Sequence, residues 1–514
     1  MANLIFGGIQ TALTALRAQQ QAQLVADHNV ANANTPGYTR QEAVLGTRSP
    51  LSPVAFDRGS GGAMQMGQGA QVELTRRMAY DFYDDRLRTE LSVEKQWQER
   101  ADVLRHVEAM LPEKDGSGIA DRLSEFWSSW QQLSTDSADP AVRRAVRDAG
   151  VRLSQSINER ADGLVNFQRY QDARLGRLVE EVNQAAGRLS KLNERIVVAF
   201  KADNQPNDLL DERDRLRSQL SELTGSTSYI QNDGSAVVSI GRHVLVARDR
   251  AQLLQAVNPP VTAAPAPPAV PPAAGGAAPV PAAPAPAGTV SGHLRQLQWE
   301  DGQAAEVKMG TIGGLLVGRD KEVVARINAL ERLSNTLRSE VNAVHKTGFG
   351  LPPANTTGQE FFVGNGAAQL AVNPLLEANV GGVAAAAATA SPGDGSLALK
   401  ISQLESRLMM DAEGTRVPAG TEALGATRTI QESWADAVAA LGADAVRAQR
   451  ELDSHSMIVE QLTTQKDSVT GVSLDEEAAR VMRSQRAYQA AARVLTNFDQ
   501  MAEEVVLRLG MVGR

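Results

Sequence analysis

No cysteine occurs among the 514 residues, which excludes disulfides, thiolate metal sites and a cysteine nucleophile and leaves stability to packing alone. Basic blocks are missing too. Lys and Arg total 52 against 60 Asp and Glu, a net charge of −8, and phosphate neutralisation needs clustered cations, so no nucleic-acid partner is expected. No run approaches the roughly 18 apolar residues of a membrane-spanning helix, so no membrane insertion is expected either. The opening MANLIFGGIQTALTAL lacks the basic n-region of a signal peptide. These absences ordinarily point to the cytoplasm, although export through a dedicated secretion machine leaves no such mark.

What is present is a pair of amphipathic ends. Leu474, Ala478, Val481, Tyr488, Ala492, Leu495, Ala502, Val506 and Leu509 recur in a 4-3 stagger, interrupted only by Gln485 and Asp499. Ile5, Ile9, Ala12 and Leu16 repeat that stagger at the other end, where Leu13, Leu24 and Val25 widen the stripe. A single-seam helix gains most of its stability by burying that face, so each end implies a partner. Either the two ends pair as halves of one element, or each packs on its own domain.

Between them the chain is long enough for about three domains. The N-terminal helix should stop at Thr35-Pro36-Gly37-Tyr38, where Pro then Gly fit a type II turn. On physics alone this is simply a good turn. Residues 39–71 are rich in Gly, Ser and Pro and read as an extended arm with little regular structure. Helix is expected over Met78 to Leu111 and Ile119 to Leu133, the latter burying Phe126, Trp127 and Trp130. Asp139 as N-cap and Pro140 at the first position open a helix with no stop before about Ala202. Asn207 should cap the next, to Leu223, with Asp211 reaching Arg215 at i,i+4.

From Ser226 the period changes to two, with Val238 and Ile240, then Val244 and Val246, around a hairpin signal at Asn232-Asp233-Gly234. Residues 258–288 are nearly all Pro, Ala, Val and Gly, hold half of the 22 prolines, and read as a semi-rigid linker or loop. A strand region (His293 to Val307), a helix (Asp320 to about Val344), a Gly/Ala-rich mixed lobe (348–418) and a helix (Thr427 to Thr464) follow. Asp475 and Glu476 then suit the positive end of the last helix.

Catalytic signatures are weak. The six histidines (His28, His106, His243, His293, His345, His455) are scattered, with no H-E-x-x-H and no close pairing with a carboxylate. No phosphate-binding G-x-x-x-x-G-K-[ST] loop occurs, and Gly348-Phe349-Gly350 and Gly364-Asn365-Gly366 lack the third glycine of a dinucleotide fingerprint. Asp81, Asp84 and Asp85, like Asp211, Glu212 and Asp214, lie among arginines and read as solvated ion pairs. No cofactor, metal or catalytic residue is assigned.

Several stretches together carry a resemblance. An amphipathic N-terminal helix leads into Ala31-Asn32-Ala33-Asn34-Thr35-Pro36-Gly37-Tyr38, and a final helix contains Ser484-Gln485-Arg486-Ala487-Tyr488-Gln489-Ala490. This resembles the axial proteins of the bacterial flagellum. Asn207-Asp208-Leu209-Leu210-Asp211-Glu212-Arg213-Asp214 is similar to the NDLLDxRD segment of the first hook-associated proteins. Gly471-Val472-Ser473-Leu474-Asp475-Glu476-Glu477 is similar to their GVNLDEE segment, with Ser473 in place of Asn. The likeness covers the first ~225 and last ~90 residues well and the middle patchily; the proline-rich stretch is not a recognised family feature.

The resemblance implies a non-enzymatic hook-filament junction protein, exported unfolded by the flagellar type III apparatus and self-assembling into a ring. Its implied partners are hook protein, a second junction protein, the flagellin side of the filament, and a cytoplasmic export chaperone on the C-terminal region. The implied fold class is mainly α with a β-rich insertion: paired N- and C-terminal coiled-coil helices, a long helical rod domain and outer β-containing domains. Expected boundaries are 1–75 with 466–514 for the terminal core and arm, and 76–225 with 320–346 and 427–465 for the rod. A β-rich outer domain is expected at 226–319 and a small mixed α/β lobe at 347–426. Alternatives are a flagellar hook or distal rod protein, a secreted flagellum-associated hydrolase, or a surface-exposed interaction protein with borrowed terminal helices. The seam residues above, the turn residues Asn32, Asn34, Thr35, Pro36, Gly37 and Tyr38, and the helix residues Asn207, Asp208, Asp211, Arg213 and Asp214 are the expected functional positions.

Overall fold

The computed structural model describes residues 2–49, 67–113, 116–202, 204–258, 294–353, 355–417 and 425–509. Their elements, in order, are α1 (Ala2–Ala31), β1 (Gln41–Thr47), β2 (Ala70–Arg77), α2 (Asp81–Met110), α3 (Ile119–Thr135), α4 (Pro140–Lys201) and α5 (Asn207–Thr224). Then come β3 (Thr227–Ile230), β4 (Ala236–Ile240), β5 (His243–Ala247), β6 (Arg250–Ala251), β7 (Leu254–Val257) and β8 (Gln296–Trp299). The remainder is α6 (Gly310–Val317), α7 (Val323–His345), β9 (Phe362–Val363), β10 (Ala371–Val372), α8 (Pro374–Ala378), α9 (Ser396–Ser402), α10 (Ile430–Thr470) and α11 (Leu474–Leu509). The chain is thus mainly α, with small antiparallel sheets between long terminal helices. It forms two compact units: Met1–Ser92, Asn183–Gln252 and His455–Arg514 make one, Val93–Val182 and Leu253–Ser454 the other.

In the first unit, α1 stops where the turn chemistry requires it. Gly37 takes φ +80°, and the Tyr38 N–H donates to the Thr35 carbonyl at 3.1 Å, closing the expected turn. The arm that follows is more ordered than its composition indicated: β1 and β2 pair antiparallel, Gln41 opposite Arg77 and Thr47 opposite Ala70. Long-range pairing supplies what local propensity does not, a tertiary effect that composition cannot show. Residues 50–66, between these strands, lie outside the described residues.

β3 to β6 form an antiparallel meander, with Gly234 at φ +80° in the first hairpin and Asp233 accepting from the Ser235 N–H at 3.0 Å. Asn193 of α4 holds this sheet. Fully buried, it donates to the carbonyls of Ala236 (2.9 Å) and Arg248 (3.0 Å) and accepts from the Ala236 N–H (2.9 Å). Asn193→Ala strands those backbone groups, an expected loss of about 1–3 kcal/mol. Hydrogen exchange should show the Ala236 amide losing protection; unchanged protection there would remove Asn193 from this role.

In the second unit, α4 begins as the sequence indicated: Asp139 accepts from the Ala141 N–H at 2.7 Å with Pro140 in the first turn. The helix runs 62 residues to Lys201. α3 is capped from outside its own sequence, the Glu113 carboxylate accepting from the N–H groups of Ile119 and Ala120 at 3.1 Å each while also holding the Trp434 indole at 2.8 Å. One anion therefore serves the positive end of α3 and fixes α10. The core runs through α3, α4, α7 and α9, with Phe126, Trp130, Phe361 and Phe362 at ring separations of 4.8–6.2 Å. The Gly/Ala-rich lobe contributes Phe361 and Phe362, held by Asn342, which accepts from both their N–H groups at 2.9 Å.

Other boundaries moved. The helix expected from Asp320 starts at Val323, preceded by α6 and a five-residue π-helical segment, Gly318–Glu322. Of the strand region, β8 forms, paired with β7 so that Val257 faces Gln296. The proline-rich stretch lies outside the described residues apart from Asn258, but the strands flanking it are partners in one ladder. α10 runs on to Thr470, which shortens the expected break before α11 to residues 471–473.

Candidate assembly site

The two terminal helices pair along their length, antiparallel, within the first unit. Gly8 lies against Phe498, Gln20 reaches the Tyr488 hydroxyl at 3.5 Å, and Asn29 donates to Glu477 at 3.2 Å. On α1, Ala12, Ala18 and Ala26 are buried and Ile9 and Leu16 half-buried. On α11, Val481, Ala492, Leu495 and Ala502 are half-buried, whereas Leu474, Ala478 and Tyr488 are exposed. The covered stripe instead passes through Glu477, Ser484, Ala487, Ala491, Leu495, Phe498 and Ala502. The stagger read from the sequence is present, but its first half is rotated because Glu477 is drawn inward by the ions described next. Gln485 and Asp499 are exposed, and the side chains of Ile5, Val506 and Leu509 lie outside the described residues.

At one end of this pair the sequence motifs converge. The Asn29 side chain is fully buried and uses its whole amide: it donates to the Gln41 carbonyl (2.8 Å) and to Glu477, and accepts from the Gln41 N–H (2.9 Å) and the Tyr38 hydroxyl (2.8 Å). His28 meets that hydroxyl at 3.0 Å through Nδ1. Glu477, equally buried, is flanked by Arg40 at 3.4 Å and Arg480 at 3.5 Å, and Arg40 also pairs with Glu476 at 2.9 Å. The start of α11 is thereby tied to the turn after α1.

The same turn grips α5. Thr39 donates its N–H to Asp211 (3.3 Å), and Gln41 donates to Asp208 (3.2 Å). Asn207 is the first residue of α5, but its side chain does not cap it. Its amide donates to Gln41 (3.1 Å) and the Thr75 carbonyl (2.9 Å), so it staples the β1–β2 ribbon instead. Asp211 does not bond Arg215; it pairs with Arg77 of β2 at 2.7 Å. Asp214 takes Arg77, Arg213 and Arg217, each at 3.0 Å, and Arg213 also donates to the Gly234 carbonyl at 2.8 Å. These pairs are buried, with Arg213 and Arg217 each 4% exposed, and so are not the solvated pairs that the charge pattern alone indicated. Asn32 and Thr35 bond each other and the end of α1, while Asn34, Pro36 and Gly37 are exposed.

Electrostatics follow from this packing. Burial, then Asp211, Asp208 and Glu477, raise the Tyr38 phenol well above its ordinary value, so it stays a donor to Asn29. Burial raises the Asp211 carboxyl despite Arg77. Burial also acts to raise Asp214, but Arg213, Arg77 and Arg217 together outweigh it and hold that carboxyl at about 2. The arrangement ties distant segments of the chain to one another. Among the described residues no cluster of three or more His, Asp and Glu is placed to hold a metal, although His455 and Glu90, distant in sequence, meet at 3.1 Å. Arg40, Gln41, Arg77 and Asn29 were not among the expected positions, and Glu477 entered only within the segment 471–477. The α1 stagger continued from Leu16 reaches 19, 23, 26 and 30, so it passes beside Asn29 without marking it.

Large apolar side chains are left uncovered on this helix pair. Phe6 and Leu24 on α1 are 67% exposed and Leu507 on α11 64%, with Leu474, Met482, Val494 and Met501 also outside. No helix among the described residues is long and apolar enough to cross a membrane.

Comparison with known proteins matches these parts of the chain. Residues 104–362, half of its length, match the family described as the helical domain of flagellar hook-associated protein FlgK. Residues 9–39 match the flagella basal body rod protein family and 467–509 the flagellar basal body rod FlgEFG protein C-terminal family. Flagellar hook-associated protein 1 of Bacillus subtilis (strain 168) is 26% identical over 538 residues, covering 99% of each chain. That of Escherichia coli (strain K12) is 22% identical over 581 residues, covering 97% of this chain and 99% of its own. The solved flagellar hook junction protein FlgK from Burkholderia pseudomallei superposes with a TM-score of 0.58 at 13% identity, covering 75% of this chain and 100% of that one, a likeness of fold.

Proposed function

The chain belongs to the FlgK family of flagellar hook-associated proteins, and from that premise we propose that it is a structural subunit of the hook-filament junction that catalyses no reaction. The observation that carries this reading is the α1–α11 pair, matched in its own right by flagellar rod families and left with large apolar side chains uncovered. Each such side chain buried between copies contributes up to about 1.5–3 kcal/mol, enough to couple ordering of the ends to assembly. The seam residues of α1 and α11 and the turn and α5 motif residues are the positions through which this works. Gln485 and Asp499, exposed on the single chain, then face neighbouring copies or the lumen of the tube.

The finer parts of the reading follow the family. Copies form a ring, with hook protein on one side and a second junction protein and the flagellin side of the filament on the other. The chain leaves the cell unfolded through the flagellar export apparatus, which a cysteine-free chain suits, and a cytoplasmic chaperone holds its C-terminal region beforehand. Terminal helices with the arm, helical body, β-rich outer part and small lobe act as four functional segments.

A deletion strain viewed by electron microscopy tests the junction role. Complete hooks that shed flagellin monomers into the medium are expected, restored to filaments by the wild-type gene. Missing hooks would place the chain in the hook or rod instead.

A further inference from the structure

The middle of the α1–α11 seam is built mostly of small residues. Ala12, Ala18 and Ala26 are buried on α1 and Ala487 and Ala491 half-buried on α11, with the larger Leu16 and Leu495 among them. Such a seam fixes its own register poorly, because a slide by one heptad sets one small residue where another was: Ala15 and Ala22 are one heptad apart, as are Ser484 and Ala491. Copies in a closed assembly, however, must all present the same register to their neighbours.

Two contacts at the ends of the seam behave differently. At one end the Phe498 ring lies over Gly8 so closely that a Cβ there would stand 2.4 Å from it. A slide by a heptad or a turn puts a residue with a Cβ, such as Ala15 or Thr11, beneath the ring. At the other end the Asn29 amide is oriented by Gln41 and Tyr38 of its own turn, leaving its second Nδ2 proton aimed at the buried Glu477 carboxylate. A one-heptad slide the other way sets Ala22 opposite that carboxylate, which keeps Arg480 of its own helix but loses the Asn29 donor in a buried place. Gly8 and Asn29 are 21 residues apart, as are Glu477 and Phe498, so one register satisfies both contacts and any slide breaks both together.

We infer that Gly8–Phe498 and Asn29–Glu477 are two register pins that set the axial alignment of α1 against α11, and that the seam between them supplies adhesion with little register of its own. The inference rests on the reading of these helices as the assembling ones, and it deepens that reading by naming the positioning residues. A buried polar contact that selects one register among near-equal alternatives is an attested use of such groups.

The cysteine-free background makes the test direct. In purified full-length chain, Gln20→Cys with Tyr488→Cys reports the register seen here, while Gln20→Cys with Val481→Cys or with Leu495→Cys reports a slide of one heptad either way. Mild oxidation and mass spectrometry then read which pair closes. The native pair should dominate with the pins intact, and in a Gly8→Ala/Asn29→Leu background its advantage over the slid pairs should fall by roughly tenfold. Adding Phe498→Ala, which removes the ring that the new Cβ strikes, should recover part of it. Three equally efficient pairs with the pins intact would overturn the inference, as would an undiminished native pair without them. So would loss of all three cross-links, since pins that set register alone leave the helices paired. Localisation at hook tips is scored separately, so the junction role can stand or fall independently of the cross-link pattern.

Discussion

Leu495→Asp or Ile9→Asp is expected to remove the protein from hook tips and leave cells that build hooks but shed flagellin. Both side chains are half-buried on the α1–α11 pair, Leu495 one turn before the Phe498 ring that covers Gly8. A carboxylate there is half-buried, and its desolvation costs several kcal/mol where an aliphatic side chain contributed about 1.5–3. At 1.4 kcal/mol per factor of ten, incorporation should fall by far more than roughly tenfold. The rest of the chain should be indifferent. All five tryptophans (Trp97, Trp127, Trp130, Trp299 and Trp434) belong to the second unit, so tryptophan emission follows that unit's folding and not the pairing of α1 with α11. Wild-type emission with empty hook tips is the expected combination; equal incorporation of mutant and wild-type chains would remove the seam from assembly.

The second large effect is acid loss of stability in the tryptophan-bearing unit, through His345. The ring is 1% exposed, and both nitrogens are committed in a way that suits only neutral imidazole. Nδ1 donates to the Gln359 carbonyl at 2.8 Å, and Nε2 accepts from the Ala384 N–H at 3.0 Å. Trp130 and Phe361 pack against its edges. Burial, together with the Arg143 guanidinium, lowers its pKa from 6.5 to about 4 although the Gln359 bond works the other way. The folded state therefore binds the proton later than the unfolded chain does. The stabilisation is complete above pH 6.5 and is lost as pH falls from there towards 4, about 3 kcal/mol in all. Glu322 and Glu331, raised by burial, act in the opposite sense, but do so equally in a variant. Urea unfolding followed by tryptophan emission should show wild type losing about 2–3 kcal/mol more than His345→Gln between pH 7 and pH 4.5. Parallel pH dependences for the two would exclude His345 as the cause.

Much of this was legible because it depends on neighbours in sequence. Asp139-Pro140 opens α4, Pro36-Gly37 ends α1 with a turn, and Asn232-Asp233-Gly234 closes the β3–β4 hairpin, each by backbone preferences that a few residues settle among themselves. The 4-3 stagger at both ends gave two helices that each need a partner, and the family resemblance implied that they pair with each other. What was misread depends on distant residues. The Gly/Pro-rich arm pairs as β1–β2, Asn207 staples that ribbon instead of capping α5, and Asp211 finds Arg77 in place of its i+4 neighbour Arg215.

The sequence by itself determined that this is a cysteine-free, mainly helical chain with an amphipathic helix at each end, and which flagellar motifs it carries. Spacing, turn chemistry and composition are local properties, and they survive without coordinates. Only the tertiary structure decided which face of α11 is covered, that Asn29 and Glu477 meet in a buried polar knot joining α1, α11 and the turn between α1 and β1, and that Arg77, Arg213 and Arg217 are buried with Asp214 and not solvated. The physical reason is that a side chain's partner and its exposure are set by what the rest of the chain brings within a few ångströms, and burial of an ion turns on that proximity far more than on the identity of the residue beside it.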